Sequence, residues 1–489
     1  MKNKMVTYMY KGILGCCAIS SLIIGVSACE DDDITRIDVI EISDNRMDLS
    51  AFQKEDAGVM MQAFYWDVEP IGEWYNTVSL KLDDWKDAGV NRIWLPPPGK
   101  GASGKFSMGY DPSDYFDVGN FDQHGTVKTR FGSKIELTSL IDKAHELDIE
   151  VIADIVMGHN SGGGLQANPF RDGQEVFTLF NEENGNASGK FNRDFNHFHP
   201  NGVVESDGNA LFFPETDLSH AVPYVQDWLW GRDDSVAEFY KSLGFDGWRF
   251  DYVKSFDPKY VKAWNDKVGG FSVGENFDGN ADVLRDWVAA SSSPAFDFAM
   301  FYKLDETLDR NNDLTALGDA NNMLRKSNPD QAVTFVANHD TEKDENPDNR
   351  ISYANKLIAY AYMLTHDGYP TIFYSDYENP SFKEKIKGLI EIHNSLATGD
   401  IEILKVDTDE YIMKRAGNGT NPGLVLYMNI SNQTRQFEIT NTAWSGQTLV
   451  DYAGNESFLP QVSSDGKATI QAKAKSYAIW SLAKEKQEE

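Results

Sequence analysis

The sequence predicts an α/β protein built on a (β/α)8 (TIM) barrel. An irregular middle domain is inserted after strand 3, and an antiparallel β-domain closes the C-terminal end. Three observations carry this. From Val59 to about residue 396, short apolar runs alternate with helical apolar patterns, the rhythm of a parallel barrel. One long stretch, residues 160–222, breaks that rhythm and is rich in Gly, Asn, His and Phe. Loops of that length inside a compact domain are functional or form small domains of their own. After about residue 397 helical spacing stops, and short strands separated by turn residues take over.

The elements follow in order. Val59–Phe64 is the first strand; Leu82, Trp85 and Ala88, stopped by Gly89, mark a helix; Arg92–Leu95 is the second strand, ended by Pro96-Pro97-Pro98. Ser133 with Glu136 fits a capping box, opening a helix with Leu137, Leu140, Ile141, Ala144 and Leu147 on one face. Val151–Val156 is the third strand. Val236, Phe239, Tyr240 and Leu243 keep helical spacing up to Gly244, a C-cap. The fourth strand is Gly247-Trp248-Arg249-Phe250-Asp251, where alternation puts Arg249 and Asp251 on one face and Trp248 and Phe250 on the other. Phe271–Gly274, Ala295–Phe298, Val333–Ala337 and Thr371–Phe373 complete eight strands. Leu424–Ile430, Gln436–Ile439, Thr448–Tyr452 and Tyr477–Leu482 are strands of the C-terminal domain. The expected organisation is a signal peptide (1–28), a tether (29–52), a barrel (53–159 and 223–396), the inserted domain (160–222) and a C-terminal β-sandwich (397–485).

The formal net charge of −31 over 489 residues argues against nucleic acid or an anionic membrane surface as partner. It suits a neutral substrate such as a sugar polymer. Lys2, Lys4 and Lys11 precede an apolar run, Ile13–Val26, too short to span a bilayer. Val26-Ser27-Ala28-Cys29 resembles a bacterial lipobox, with lipid on Cys29. The following Glu30-Asp31-Asp32-Asp33 resembles the surface-export signal of Bacteroidetes lipoproteins. The expected location is therefore the cell envelope, lipid-anchored at the outer membrane and facing outward. All three cysteines (16, 17 and 29) lie in this segment, so no disulfide and no thiolate metal site is expected in the mature chain.

Three carboxylates fall at strand C-terminal ends: Asp251 after strand four, Glu275 after strand five and Asp340 past strand seven. His159 and His339 hold matching places after strands three and seven. Barrel strands converge, so all five face one pocket at the top. Glycoside cleavage needs this inventory: one carboxylate to attack the anomeric carbon and one to protonate the leaving oxygen. The residues alone do not say which does which. Arg249 beside Asp251 would keep that carboxylate ionised and oriented.

Four motifs then fall in order. They are Asp154-Ile155-Val156-Met157-Gly158-His159, Gly247–Asp251 with Lys254, Val273-Gly274-Glu275, and Phe335-Val336-Ala337-Asn338-His339-Asp340. With them, and with Ser107-Met108-Gly109-Tyr110-Asp111-Pro112, the chain resembles the α-amylases of glycoside hydrolase family 13, archaeal and plant-type members in particular, over roughly residues 55–485. The resemblance implies Asp251 as nucleophile, Glu275 as general acid/base and Asp340 as transition-state stabiliser. It implies Tyr110 as stacking floor, His159, His339 and Arg249 around the cleaved sugar, and Lys254 toward the leaving-group side. It implies retaining endo-hydrolysis of α-1,4-glucosidic bonds in starch, glycogen or maltodextrins, with the two carboxyls ~5–5.5 Å apart rather than the ~6.5–9.5 Å of inverting enzymes. A transglycosylase of the same family, or an inactive starch-binding surface lipoprotein, are the competing readings; three intact carboxylates speak against the last.

The resemblance also implies calcium, with Asp207, Asp217 and the Ser255 carbonyl as ligands. One departure stands out. Many members carry an Asn ligand where this chain has Gly158. Calcium takes 6–8 oxygens, so Asn160 or water would have to cover the loss. His197 and His199 stand where some archaeal relatives bind zinc, but no cysteine accompanies them, so zinc is not expected. Of the aromatics near the inserted segment (Phe212, Phe213, Tyr224, Trp228, Trp230), core packing is the expectation; only Tyr110 is assigned to the site.

Overall fold

A computed structural model describes residues 45–484 apart from 55–56, 204–212, 214–215, 319–321 and 344–348. The signal peptide, Cys29, the acidic run, Asp207, Phe212 and the last five residues lie outside the described residues. Among those described, no helix is long and apolar enough to cross a membrane.

Eight parallel strands close into a barrel: β1 (Val59–Gln62), β2 (Val90–Leu95), β3 (Glu150–Ile155), β4 (Gly247–Phe250), β5 (Phe271–Gly274), β6 (Ala295–Phe296), β7 (Ala332–Phe335) and β8 (Tyr369–Phe373). Each pairs with its neighbours in sequence, and β8 closes on β1. The capping box forms as expected. The Ser133 side chain accepts from Glu136 N and the Glu136 carboxylate from Ser133 N, and α1 (Lys134–Glu146) buries Leu137, Leu140, Ile141 and Ala144. Helix α2 (Val236–Ser242) ends before Gly244, whose φ of 103° explains the glycine.

Alternation on β4 behaves as read. Trp248 and Phe250 point outward and meet Trp264 of α3 (Lys259–Val268) edge to face, at centroid distances of 5.7 and 5.8 Å. Such pairs contribute ~0.5–1.5 kcal/mol each beyond the area they bury. Arg249 points inward with no exposure. Two strands are shorter than expected because side chains capture the backbone. Asp297 caps α4 (Phe298–Asp305) by accepting from Met300 N, so β6 stops at Phe296. Asn338 accepts from the amides of Asp340 and Thr341 (3.0 and 2.8 Å), turning the chain after β7 ends at Phe335.

The inserted segment is less irregular than its sequence suggests. Gly164–Asn168 and Gln174–Leu179 form an antiparallel hairpin around a turn at Asp172-Gly173. Its two faces are mixed, which hides the alternation: Leu165 and Phe177 point outward, about half exposed, while Gln166, Val176 and Thr178 face in. The C-terminal domain sets a five-stranded sheet against a two-stranded one. The first holds Ile401–Val406, Glu410–Arg415, Leu424–Asn429, Leu449–Asp451 and Ser476–Leu482. The second pairs Arg435–Thr440 with Lys467–Ala472. Ile412, Val425, Tyr427, Ile470 and Trp480 fill the space between them.

The expected tether is corrected at its end. Residues 45–52 are docked: Lys484 N donates to Asn45 O at 2.8 Å, Arg46 bridges Ala483, and Met47 N donates to Tyr452 Oη at 2.9 Å. Leu49 is buried in the following 3-10 turn. An apolar residue with a surface to bury against does not stay in a polar linker.

Candidate active site

The site is built on the register between β3, β4 and β5. Arg249 pairs in register with Asp154 on one side and Val273 on the other, and Phe250 with Gly274. The residues that follow, Asp251 and Glu275, therefore leave adjacent strands at the same level. Arg249 joins them. Its Nη1 donates to Asp251 Oδ1 at 2.8 Å and to Asp154 at 2.8 and 3.0 Å, while Nη2 lies 2.6 Å from Glu275 Oε1. The guanidinium stacks over Trp94 at 4.8 Å. Asp154 also accepts from Tyr110 Oη (2.9 Å) and Trp94 Nε1 (3.1 Å). The Tyr252 amide donates to Glu275 Oε2 at 3.2 Å, from a residue held at φ 37°. That left-handed conformation costs a non-glycine residue ~1–2 kcal/mol, offset by the donor it aims at Glu275.

Three carboxylates around one cation leave excess negative charge in a buried place. Burial foremost, with Asp251, Asp340 and Asp154 adding to it against the pull of Arg249, pushes Glu275 up to about 8. The shift favours the protonated form of Glu275. Burial raises Asp154 in the same direction, opposed by Arg249. Arg249 itself is held well above its ordinary value by these carboxylates in spite of its burial.

A cleft of about 340 Å³ opens above, lined by Trp66, Tyr110, His159, Asp251, Tyr252, Glu275, Phe277, His339 and Asp340. Tyr110, His339 and Trp66 lie nearly parallel, with interplanar angles of 10–18° and centroids 5.2–5.8 Å apart. His159 sits 2.9 Å from the Tyr110 carbonyl. Burial lowers the pKa of both histidines, His339 strongly, with Arg249 assisting there. The lowering favours the neutral form of both rings. Gln62 Nε2 contacts His339 Nδ1 at 2.9 Å. Asp340 is the exposed member, at 42%.

Residues 51–379 match the family described as "Alpha amylase, catalytic domain", two thirds of the chain. The chain belongs to the α-amylase family of glycoside hydrolases. Residues 424–481 match "Alpha-amylase C-terminal". Among relatives, a glucan 1,4-alpha-maltohexaosidase of Bacillus sp. (strain 707) is 25% identical, covering 89% of this chain and 94% of its own. An alpha-amylase of Geobacillus stearothermophilus is 27% identical over 86% of each. A solved alpha-amylase of Geobacillus thermoleovorans, complexed with acarbose, shares the fold with a TM-score of 0.64 at 20% identity, covering 88% of this chain and 99% of that one.

In this family member, most residues expected at the site converge and a few stand apart. Asp251, Glu275, Asp340, Tyr110, His159 and His339 line the cleft, with Arg249 beneath it. Lys254 lies to one side, paired with Asp278 at 2.9 Å. Sequence reasoning missed Trp66, Tyr252 and Phe277 in the lining, and Asp154 and Gln62 behind it. Trp66 follows β1 as His159 follows β3, so the strand-end rule, applied to every strand, finds it. Trp228 and Trp230 are buried, as expected of core. Phe213 is not core: it is 37% exposed and meets the His159 ring at 4.4 Å.

The implied calcium site is tested by its neighbourhood. A Cβ on Gly158 would lie 2.5 Å from Ser255 Oγ, so the serine fills the place of the usual Asn ligand. The next residues bring other oxygens to this place. Asn160 N donates to Thr216 O at 3.2 Å and His159 bridges Asp217, which sets Asn160 beside Asp217. Asn160 Oδ1 is buried without a hydrogen-bond partner, an oxygen suited to a hard cation. Asp217 is also 3.9 Å from His199. Among the described residues no cluster of three or more His, Cys, Asp or Glu side chains is arranged for a metal. The oxygens present fit calcium only with Asn160 in the place of the missing ligand.

Proposed function

We propose that this chain hydrolyses α-1,4-glucosidic bonds of starch, glycogen or maltodextrins internally and with retention of configuration. The observation that carries the mechanism is the placement of Asp251 and Glu275 on two nitrogens of one guanidinium, at the same level of neighbouring strands. Adjacent strands run ~4.8 Å apart, and two carboxyls held on one guanidinium favour the ~5–5.5 Å of a retaining pair over the ~6.5–9.5 Å of an inverting one. Asp251, held by Arg249 Nη1, attacks the anomeric carbon. Glu275, protonated through burial, gives its proton to the leaving oxygen, then takes one from the water that cleaves the glycosyl ester. Asp340 grips ring hydroxyls, and Tyr110, Trp66 and His339 offer flat faces to the sugar. Lys254, with Asp278, borders the leaving-group side. Substrate class follows the printed names of the relatives, glucan hydrolases among them.

The affinity with archaeal and plant-type members belongs to the same proposal and rests on the sequence motifs; an Arabidopsis thaliana relative is 26% identical, level with bacterial relatives at 25 and 27%. So does a calcium ion held by Asp207, Asp217, the Ser255 carbonyl and Asn160 Oδ1. It would brace the inserted domain against the barrel and take no part in the chemistry. A chelator should lower Tm; an unchanged Tm rules the ion out. The N-terminal segment supports a lipid anchor on Cys29 and an outward-facing outer-membrane location. Cys29→Ser should release the protein from the membrane fraction, and retention would overturn the anchor.

The function is tested by incubating soluble starch with the protein and following products in time. Internal hydrolysis gives a rapid loss of iodine staining with few reducing ends. Larger or cyclic products would favour transglycosylation by the same residues. Glu275→Gln should abolish cleavage; a wild-type rate would overturn the mechanism.

A further inference from the structure

Lys100 and Asp117 form an ion pair with both side chains at 0% exposure, on the loop between β2 and α1. Lys100 Nζ donates to the carbonyls of Phe121 (3.2 Å), Thr126 (2.9 Å) and Val127 (2.6 Å) and lies 3.1 Å from Asp117 Oδ2. An ammonium has three donors and no acceptor. Here it meets four acceptor oxygens, three carbonyls and one carboxylate, the donor set that hard metal cations take in proteins.

The loop depends on this point. Its regular structure is short: a ladder between Lys100–Gly101 and Pro112–Asp114, a 3-10 turn at Gly104–Phe106 and a bridge between Gln123 and Thr126. Asp117 Oδ1 accepts from the amides of Gly119, Asn120 and Phe121, and the Gln123 amide ties Asp117 to Asp114 (2.7 and 3.1 Å). The turn from 117 to 127 thus closes around the ammonium. Lys100 N donates to Asp117 O, and Ala102 N to Asp111 O, both at 2.8 Å. Asp111 also accepts from Ser103 N and Oγ (2.8 and 2.6 Å). Tyr110, at the cleft, is the next residue along.

We propose that the Lys100 ammonium is a built-in cation. It fills a four-oxygen site that would otherwise take an alkali-metal ion, and it fixes the loop that presents Tyr110. Lys100 is a positioning residue, and nothing in the cleft touches it.

Lys100→Met keeps an unbranched stem as far as the ε position and removes the ammonium and its charge. Thermal unfolding is measured in choline, sodium and potassium chloride at equal ionic strength. The variant should melt below wild type in choline and recover in sodium or potassium, while wild type does not discriminate among the salts. Its KM for a maltooligosaccharide should rise about fivefold, with kcat less affected, and the same ion should reverse the rise. That kinetic arm rests on the glucan-hydrolysis reading; the melting arm does not, so a failure of one is distinguishable from a failure of the other. If the variant is not recovered folded, it is refolded in each salt, and recovery with an alkali metal alone supports the site. Wild-type melting in choline, or melting or refolding indifferent to the cation, overturns it.

Discussion

Arg249→Lys keeps a positive charge in the site and removes the fork. Arg249 reaches Asp154 and Asp251 through Nη1 and Glu275 through Nη2. A lysine ammonium is a point charge that cannot hold carboxylates on two separate nitrogens. The change therefore forfeits one or more charge-assisted contacts, each worth ~1.5–3 kcal/mol when made to an ionised group. Taking the loss in the transition state as ~2–3 kcal/mol, kcat/KM falls roughly 30- to 150-fold. The fall should appear mainly in kcat, since Arg249 lies under the carboxylates and not in the lining of the cleft. The assay is initial-rate hydrolysis of a chromogenic maltooligosaccharide, with Tm measured to confirm folding. A folded variant within twofold of wild type would refute the claim that the fork organises the two carboxylates.

The remaining predictions concern neighbouring residues. With Glu275 raised to about 8 by burial, the acid form is present below that pH and lost above it. The wild-type kcat/KM should therefore decline as pH rises through about 8, and a decline centred near pH 5 would contradict the assignment. Gly158→Ala places a Cβ 2.5 Å from Ser255 Oγ and should cost ~1–3 kcal/mol of stability by overpacking. A lowered Tm that Ser255→Gly partly restores is the expected outcome of thermal melting. Trp66→Ala removes a 39%-exposed ring stacked beside Tyr110 and His339. KM for maltooligosaccharides should rise several-fold with Tm nearly unchanged.

What the sequence showed, and what it hid, have physical causes. The barrel was legible because each strand is a short apolar run and Arg249 and Asp251 stand two residues apart on one face. The cleft carboxylates were legible because strand ends mark the top of a barrel. The hairpin at Gly164–Leu179 was hidden because apolar Leu165 and Phe177 point outward while polar Gln166 and Thr178 face in, and the docked residues 45–52 by the absence of any local signal for a surface 405 residues away in sequence. Asp154 was quoted in a motif, yet its task depends on cross-strand register with Arg249, which only pairing reveals. Tyr252 could not be read at all, because its contribution is a backbone amide and a left-handed φ.

The central claim is that Asp251 forms the bond to the sugar while Glu275 handles the proton. Glu275→Gln leaves the nucleophile in place and removes the base that releases it, so an activated α-glucosyl fluoride should load the protein and stay there. Peptide mass spectrometry after this treatment should find one glucosyl residue, on the peptide bearing Asp251 and at that carboxylate. A label on any other residue, or turnover with no adduct and a β-configured product, would contradict the account.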